Sequence, residues 1–310
     1  MNIAILGATS QIAKDFIINV SSSGEALLSL YSRKPDTVKK WIQSLELNSK
    51  KFIENQTYDL FGVNTKYDAI INFVGVGDPY VAQSMGASIL DITSEFDQMA
   101  LNYLKKWPKT RYIFLSSGAA YGSTFTQPAT EMTPVVFNIN NLKLQDWYGV
   151  AKFYAECMHR SLNELSIIDI RVFSYFSATQ NINSGFLISD ILRAISNNFE
   201  LLTNSELIIR DYLHPIDFYQ LIMNLLLTSP TNSVVDCYSK SPIEKIDLLE
   251  KMQKEFGLKY KISPKNSIKN ATGLKPHYYS LNRRAADYGY IPKLTSLEGI
   301  FMEARKILNK

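Results

Sequence analysis

The stretch that decides the fold is Asn2-Ile3-Ala4-Ile5-Leu6-Gly7-Ala8-Thr9-Ser10-Gln11-Ile12-Ala13. Its first five residues are almost wholly apolar, as in a short strand buried on both faces of a parallel sheet; a half-exposed strand would alternate apolar and polar. Gly7 ends the run, and a helix-like stretch from Gln11 to Val20 follows. A strand that turns at once into a helix leaves the helix's first N–H groups without intrahelical acceptors, facing the connecting loop.

Comparable runs recur at Ala26 to Tyr31, Ala69 to Val74, Arg111 to Leu115 and Ile167 to Phe173, spaced widely enough for crossover helices. Helix-like stretches fill the gaps at Thr37 to Leu45, Phe96 to Lys106 and Trp147 to Leu165. This alternation predicts an α/β fold with a doubly wound parallel Rossmann sheet. After Phe176 the rhythm changes to a polar segment, Ser177 to Ser184, then helices at Phe186 to Asn197 and Ile243 to Phe256, then Tyr260-Lys261-Ile262. We therefore expect a dinucleotide-binding domain over residues 1–176 plus about 207–239. A smaller, partly interleaved α+β substrate-binding domain is expected over about 177–206 and 240–310. The longest stretch without periodicity, Gly122 to Asn141, has the length of a loop that borders a site.

With 310 residues, 46% hydrophobic and 20% charged, the chain is long enough to bury a core without disulfides or metals. Lys and Arg (33) barely outnumber Asp and Glu (29) and no basic run exceeds a pair, so no nucleic-acid partner is expected. Cys157 and Cys237 form no disulfide framework, and the three histidines are too dispersed for a zinc spacing, so no metal is expected. No charged leader precedes the first strand, and the apolar run Leu221 to Leu227 is broken by Asn224. The expectation is a soluble cytoplasmic protein that does not engage membranes.

The first loop sits where a pyrophosphate would meet a helix N-terminus, with Gly7, Thr9, Ser10, Gln11 and Ile12 as the candidate cradle. Of the three glycines usual there only Gly7 is present; Ser10 and Ala13 stand in for the others. The second strand ends in Tyr31-Ser32-Arg33-Lys34, without the acidic residue that would bind a ribose 2′-hydroxyl. Arg33 with Ser32 suits a 2′-phosphate instead, so NADP is favoured, with NAD as the alternative.

Tyr148-Gly149-Val150-Ala151-Lys152 puts a phenol and an ammonium one helical turn apart. In a chain with 18 tyrosines that pair alone is weak. Its context strengthens it: the strand Tyr112 to Leu115 runs into Ser116-Ser117-Gly118-Ala119-Ala120-Tyr121-Gly122, placing hydroxyls at the carboxyl edge of the sheet. A nearby ammonium lowers a phenol's pKa, so Lys152 is expected to tune Tyr148, and Ser117 to hydrogen-bond the reacting oxygen. Ser117, Tyr148 and Lys152 are the candidate catalytic residues.

Taken together, these motifs make the chain resemble the extended short-chain dehydrogenase/reductases, the NAD-dependent epimerase/dehydratase family, over most of its length. Tyr58-Asp59-Leu60 is similar to the family's adenine-contacting Asp-hydrophobic pair, and Asn72-Phe73-Val74-Gly75 to the end of its fourth strand. Ser117 matches the catalytic Ser/Thr position, Tyr148 and Lys152 the Tyr-Lys pair, with Glu156 a turn later. Arg171-Val172-Phe173-Ser174-Tyr175-Phe176-Ser177 resembles the stretch beside the nicotinamide, and Arg210-Asp211-Tyr212-Leu213-His214-Pro215-Ile216-Asp217 the segment whose arginine faces a substrate diphosphate. Leu281 to Leu297, with Ala285-Ala286-Asp287-Tyr288-Gly289-Tyr290-Ile291-Pro292, resembles the family's ending.

The resemblance implies cofactor contacts from Gly7, Thr9, Ser10, Gln11, Ile12, Ser32, Arg33, Asp59, Leu60, Val74, Gly75, Tyr148, Lys152 and Phe173. It implies substrate contacts from Ser117, Tyr148 and Arg210, with Lys275 or Lys269 as a second phosphate-binding cation. The competing reading of Arg210 is a salt bridge to Asp211 or Asp217. Gly118-Ala119 replaces the Asp-Glu pair of the family's dehydratases, which disfavours dehydration. Three functions follow as expectations: an NADP-dependent reductase of a keto group on a nucleotide-linked sugar, a nucleotide-sugar 4-epimerase with tightly bound NAD, or a non-catalytic dinucleotide sensor. A homodimer through the Tyr-Lys helix and its neighbour is also implied.

Overall fold

The computed structural model describes residues 1–24, 26–47, 52–63, 65–263 and 275–309. The opening run is β1 (Asn2–Leu6), and Ile3 to Leu6 are fully buried. Helix α1 (Gln11–Ser23) follows, capped by Ser10 and closed by Gly24 in the left-handed conformation. Next come β2 (Leu27–Tyr31), α2 (Pro35–Ser44), β3 (Phe52–Gln56), β4 (Ala69–Asn72), α3 (Pro79–Met85), α4 (Ser88–Lys106), β5 (Arg111–Ser117), α5 (Asp146–Ser161), β6 (Ile167–Val172) and β7 (Ser174–Tyr175). The chain continues through α6 (Leu187–Ser196), β8 (Glu200–Asn204), β9 (Ile209–Arg210), β10 (Tyr212–Leu213), α7 (Pro215–Leu227) and β11 (Ser233–Asp236). It ends with β12 (Ile243–Glu244), α8 (Lys245–Phe256), β13 (Lys259–Ser263), β14 (His277–Tyr278) and α9 (Ser296–Leu308).

The main sheet has seven strands in the order β11-β6-β5-β4-β1-β2-β3, every pair parallel. This is the doubly wound Rossmann sheet that the alternating runs predict. Strand order reverses at β1 and β4, and such a switch point opens a crevice at the carboxyl edge. Alternate residues of β1 feed opposite layers, as the pleat requires. Ile3 and Ile5 pack with Phe16, Ile17, Phe218 and Leu221 of α1 and α7; Ala4 and Leu6 pack with Leu101, Leu104 and Ala155 of α4 and α5. Each fully buried Ile or Leu is worth about 1.5–3 kcal/mol of apolar transfer.

Beyond the sheet, α6, α8 and α9 enclose a second core around Ile188, Ile191, Leu248, Met252 and Ile300. Three small sheets accompany it, β12-β9-β14, β13-β8 and β10-β7. Several boundaries differ from the periodicity. Strand β3 carries Glu54, Asn55 and Gln56, which an edge strand tolerates and an apolar-run search passes over. Helix α5 stops at Ser161, short of Leu165, because the Asn232 amide donates to the carbonyls of His159, Leu162 and Leu165. Ile243 and Glu244 pair with β9 before α8 begins.

Candidate functional site

Strand β5 delivers Ser117 to the carboxyl edge, where a 3-10 turn, Gly118–Tyr121, begins and the Ser117 hydroxyl oxygen accepts the Ala119 N–H at 3.2 Å. Helix α5 crosses this turn closely. A Cβ at Gly149 would lie 2.5 Å from the Ala119 carbonyl oxygen, so only glycine beside Tyr148 permits the approach. The Tyr148 phenol thereby comes close enough to the Ser117 hydroxyl for that group to lower its pKa. One turn on, Lys152 is buried, its Nζ donating to the Leu115 carbonyl at 2.7 Å and lying 4.4 Å from the Phe114 ring centroid. The structure therefore brings Ser117, Tyr148 and Lys152 together.

The electrostatics correct one expectation. Lys152 does not lower the phenol's pKa: burial raises Tyr148, and only the hydrogen bond with Ser117 opposes this. The ammonium sits 5.8 Å from the Tyr148 ring centroid, turned toward Leu115. Burial pulls Lys152 itself down to about 8, against the pull of Asp97, Glu156 and Asp169.

Further along the buried face of α5, Glu156 receives the Arg171 guanidinium and the Ser116 hydroxyl. His159, wholly buried, bridges Asp169 at 2.6 Å and Asp97 at 2.8 Å. Asp97 also accepts the Tyr112 hydroxyl, which accepts from the Asn72 amide, whose oxygen holds the Val74 N–H. The signal for His159 was available: 152, 156 and 159 fall on one helical stripe.

The residues of the first loop fit a dinucleotide. Gly7 adopts φ +82°, and a Cβ there would lie 2.9 Å from the backbone of Phe73 and Val74, so the tight turn requires this glycine. Ser10 uses its side chain as the N-cap, accepting the Ala13 N–H, which leaves the first-turn N–H groups of Gln11 and Ile12 for a phosphate. The Gln11 amide donates to Ser177, so that residue contributes backbone and not side chain. Thr9, Asp59, Leu60 and Gly75 are exposed along the crevice, Val74 is half-buried, and Ser32 is buried with Arg33 exposed beside it. The Lys152 ammonium has one acceptor and three donors, leaving two for ribose hydroxyls.

On the opposite side lie Arg210 and Lys275. The Arg210 guanidinium donates to the carbonyls of Ile209 and Lys275, 2.8 and 2.7 Å away. The salt-bridge alternative fails: Asp211 accepts from Ser239 and Ser296, and Asp217 accepts the N–H groups of Lys293 and Leu294. Burial lowers both cations, and Lys275, close to Arg210, falls to about 8. Lys269 lies outside the described residues.

Between cations and catalytic residues stands an aromatic cluster that sequence reasoning missed, Tyr278 with Phe125 and the expected Phe173. The Tyr278 hydroxyl is 3.2 Å from the Ser117 hydroxyl. Among the described residues, no group of three or more His, Cys, Asp or Glu is placed to hold a metal ion, and no helix is long and apolar enough to cross a membrane.

Residues 3–236 match the model of the NAD dependent epimerase/dehydratase family. The chain belongs to this family. Membership makes it an enzyme of the epimerase/dehydratase kind, built on the family's dinucleotide-binding sheet. No curated protein matches the chain in sequence. Among solved structures it is similar to a UDP-glucuronic acid 4-epimerase from Bacillus cereus in complex with UDP-glucuronic acid and NAD. The TM-score is 0.79 at 17% identity, covering 100% of this chain and 99% of that one. It is similar also to a UDP-glucose 4-epimerase from Bifidobacterium longum in complex with NAD+ and UDP, at TM-score 0.79, 15% identity, and 100% and 98% coverage. A dTDP-glucose 4,6-dehydratase from Bacillus anthracis str. Ames in complex with NAD gives TM-score 0.78, 17% identity, and 98% and 96% coverage.

Proposed function

We propose that this family member epimerises a nucleotide diphosphate sugar at a ring carbinol carbon, C4 as in the epimerases it resembles, with NAD held between turnovers. The observation that carries this reading is the juxtaposition of Ser117, Tyr148 and Lys152 with two cations, Arg210 and Lys275, for which no ion pair is formed among the described residues. Two desolvated cations that form no ion pair suit a diphosphate. The neighbours' bound NAD and uridine nucleotides support the same assignment.

The cofactor would lie on Gly7, Gln11, Ile12, Asp59, Leu60, Val74, Gly75 and Phe173, and when bound supplies hydride exchange at the carbon. The chain's own residues do the rest. Ser117 hydrogen-bonds the reacting oxygen, Tyr148 moves its proton, Lys152 holds ribose hydroxyls, and Arg210 with Lys275 fixes the phosphates. No acidic side chain stands at positions 118 and 119 for water elimination. The proposed division is a dinucleotide-binding part, 1–176 with about 207–239, and a substrate-binding part, about 177–206 with 240–310.

A second reading, the NADPH-dependent keto-sugar reductase, is favoured by one feature: Arg33 is exposed at the end of β2, where no carboxylate would repel a 2′-phosphate. Heating the purified protein and assaying the released cofactor separates the two. Stoichiometric NAD, with interconversion of C4 epimers of a UDP-sugar followed by NMR, supports the epimerase; no released cofactor and turnover only with NADPH supports the reductase. Dimerisation through α4 and α5 is proposed on the outward face of α5, where Tyr154 is 52% exposed; sedimentation of Tyr154→Glu as a monomer beside a dimeric parent would support it.

A further inference from the structure

Tyr278 stands where a substrate would have to be. Its hydroxyl hydrogen-bonds Ser117, the hydroxyl assigned to the reacting oxygen, and its ring lies between that serine and the two cations. The ring centroid is 4.9 Å from Lys275 Nζ and 5.7 Å from the Arg210 guanidinium carbon. Phe125 and Phe173 pack on it at 4.9 and 5.2 Å between centroids. Its backbone is anchored, since Tyr278 is the register partner of Arg210 in the β14–β9 pair.

We infer that Tyr278 is a specificity-determining residue: it occupies the substrate oxygen's place on Ser117, and a diphosphate arriving at Arg210 and Lys275 releases it. The inference rests on the proposed nucleotide-sugar reading and adds a reason for the diphosphate. Cations engaged by phosphate no longer hold the face of the ring, because the stronger charge pairing replaces the cation–π attraction. A free sugar brings no such charge and meets a shielded serine. Binding energy from the non-reacting diphosphate is thus used to expose the reacting site, which discriminates by conformational closure and opening, not by sugar contacts alone.

The test reads access to position 117 and needs no turnover, so failure of this inference and failure of the proposed reaction give different results. In a Cys157→Ser background, which removes the exposed thiol and leaves buried Cys237, Ser117→Cys introduces a thiol under Tyr278. Its alkylation by iodoacetamide is followed by mass spectrometry, with circular dichroism confirming the fold. We expect slow alkylation that inorganic pyrophosphate accelerates about tenfold, the worth of one hydrogen bond plus a cation–π contact. Added Arg210→Gln should abolish the acceleration, which separates this site from pyrophosphate bound at the first loop. Added Tyr278→Ala should give fast alkylation with or without pyrophosphate. Alkylation that is unmoved or slowed by pyrophosphate, or equally slow in Tyr278→Ala, would overturn the inference.

Discussion

The ammonium of Lys152 donates to the carbonyl oxygen of Leu115 at 2.7 Å and, among the described residues, forms no ion pair. A buried cation without an ion-pair partner titrates early, because burial outweighs the more distant carboxylates Asp97, Glu156 and Asp169. Burial lowers its pKa from 10.5 to about 8, and burial beside Arg210 brings Lys275 to about 8 as well.

Activity should therefore fall on an alkaline limb near pH 8, through two separable causes. Loss of charge on Lys152 lowers kcat, whereas loss of charge on Lys275 raises KM for the nucleotide sugar. Lys275→Arg, which stays charged, should keep KM flat above pH 8 while the kcat limb remains. For stability the sign is opposite: between about pH 8 and 10.5 the unfolded chain binds the Lys152 proton and the folded one does not, so this lysine's contribution favours the fold as pH rises.

Arg210→Gln or Lys275→Gln should weaken binding of a nucleoside diphosphate about tenfold to a hundredfold, as expected for a charge-assisted hydrogen bond lost. Calorimetry with UDP checks this. Unaltered affinity in both variants would place the phosphates elsewhere.

His159 lies between Asp97 and Asp169. Burial opposes its charge, but Asp169 and Asp97 overcome it and hold the imidazolium up to a pKa of about 10. The raised value stabilises the fold fully below the unfolded pKa of about 6.5, and that contribution is lost as pH rises through 10. His159→Leu should cost about 3–5 kcal/mol in urea unfolding at pH 6, because two buried carboxylates lose their partner. The deficit should shrink above pH 10; a deficit independent of pH would mean that His159 only fills space.

Much of this architecture was legible because burial leaves a period. Runs such as Ile3 to Leu6 announce a strand covered on both faces, and Tyr148 with Lys152 falls on one helical face whatever surrounds it. What escaped was what other segments decide. Tyr278 reaches Ser117 only because β14 pairs with β9, a two-residue match with no periodicity of its own. The direction of the Lys152 ammonium depends on the Leu115 carbonyl that β5 presents to it, 37 residues away in sequence. The end of α5 depends on Asn232, remote in sequence. Local spacing names the residues of this site but not their orientation.

The cofactor question can be put to Arg33 alone. If a 2′-phosphate is bound there, Arg33→Asp should weaken NADP+ binding about tenfold or more by replacing attraction with repulsion, and leave NAD+ binding unchanged or improved. Fluorescence titration of both nucleotides reads the difference. Equal effects on NADP+ and NAD+ would remove Arg33 from the choice between them.

The central claim is that the phenol beside Ser117 moves the proton while hydride passes between sugar and nicotinamide. Rapid mixing of the cofactor-loaded protein with UDP-sugars, reading nicotinamide reduction in a single turnover, tests it in both the parent and Tyr148→Phe. The account predicts a first-order signal with one sugar that slows about a hundredfold to ten-thousandfold in the variant, with cofactor content and melting temperature unchanged. Equal rates in the two proteins would contradict it.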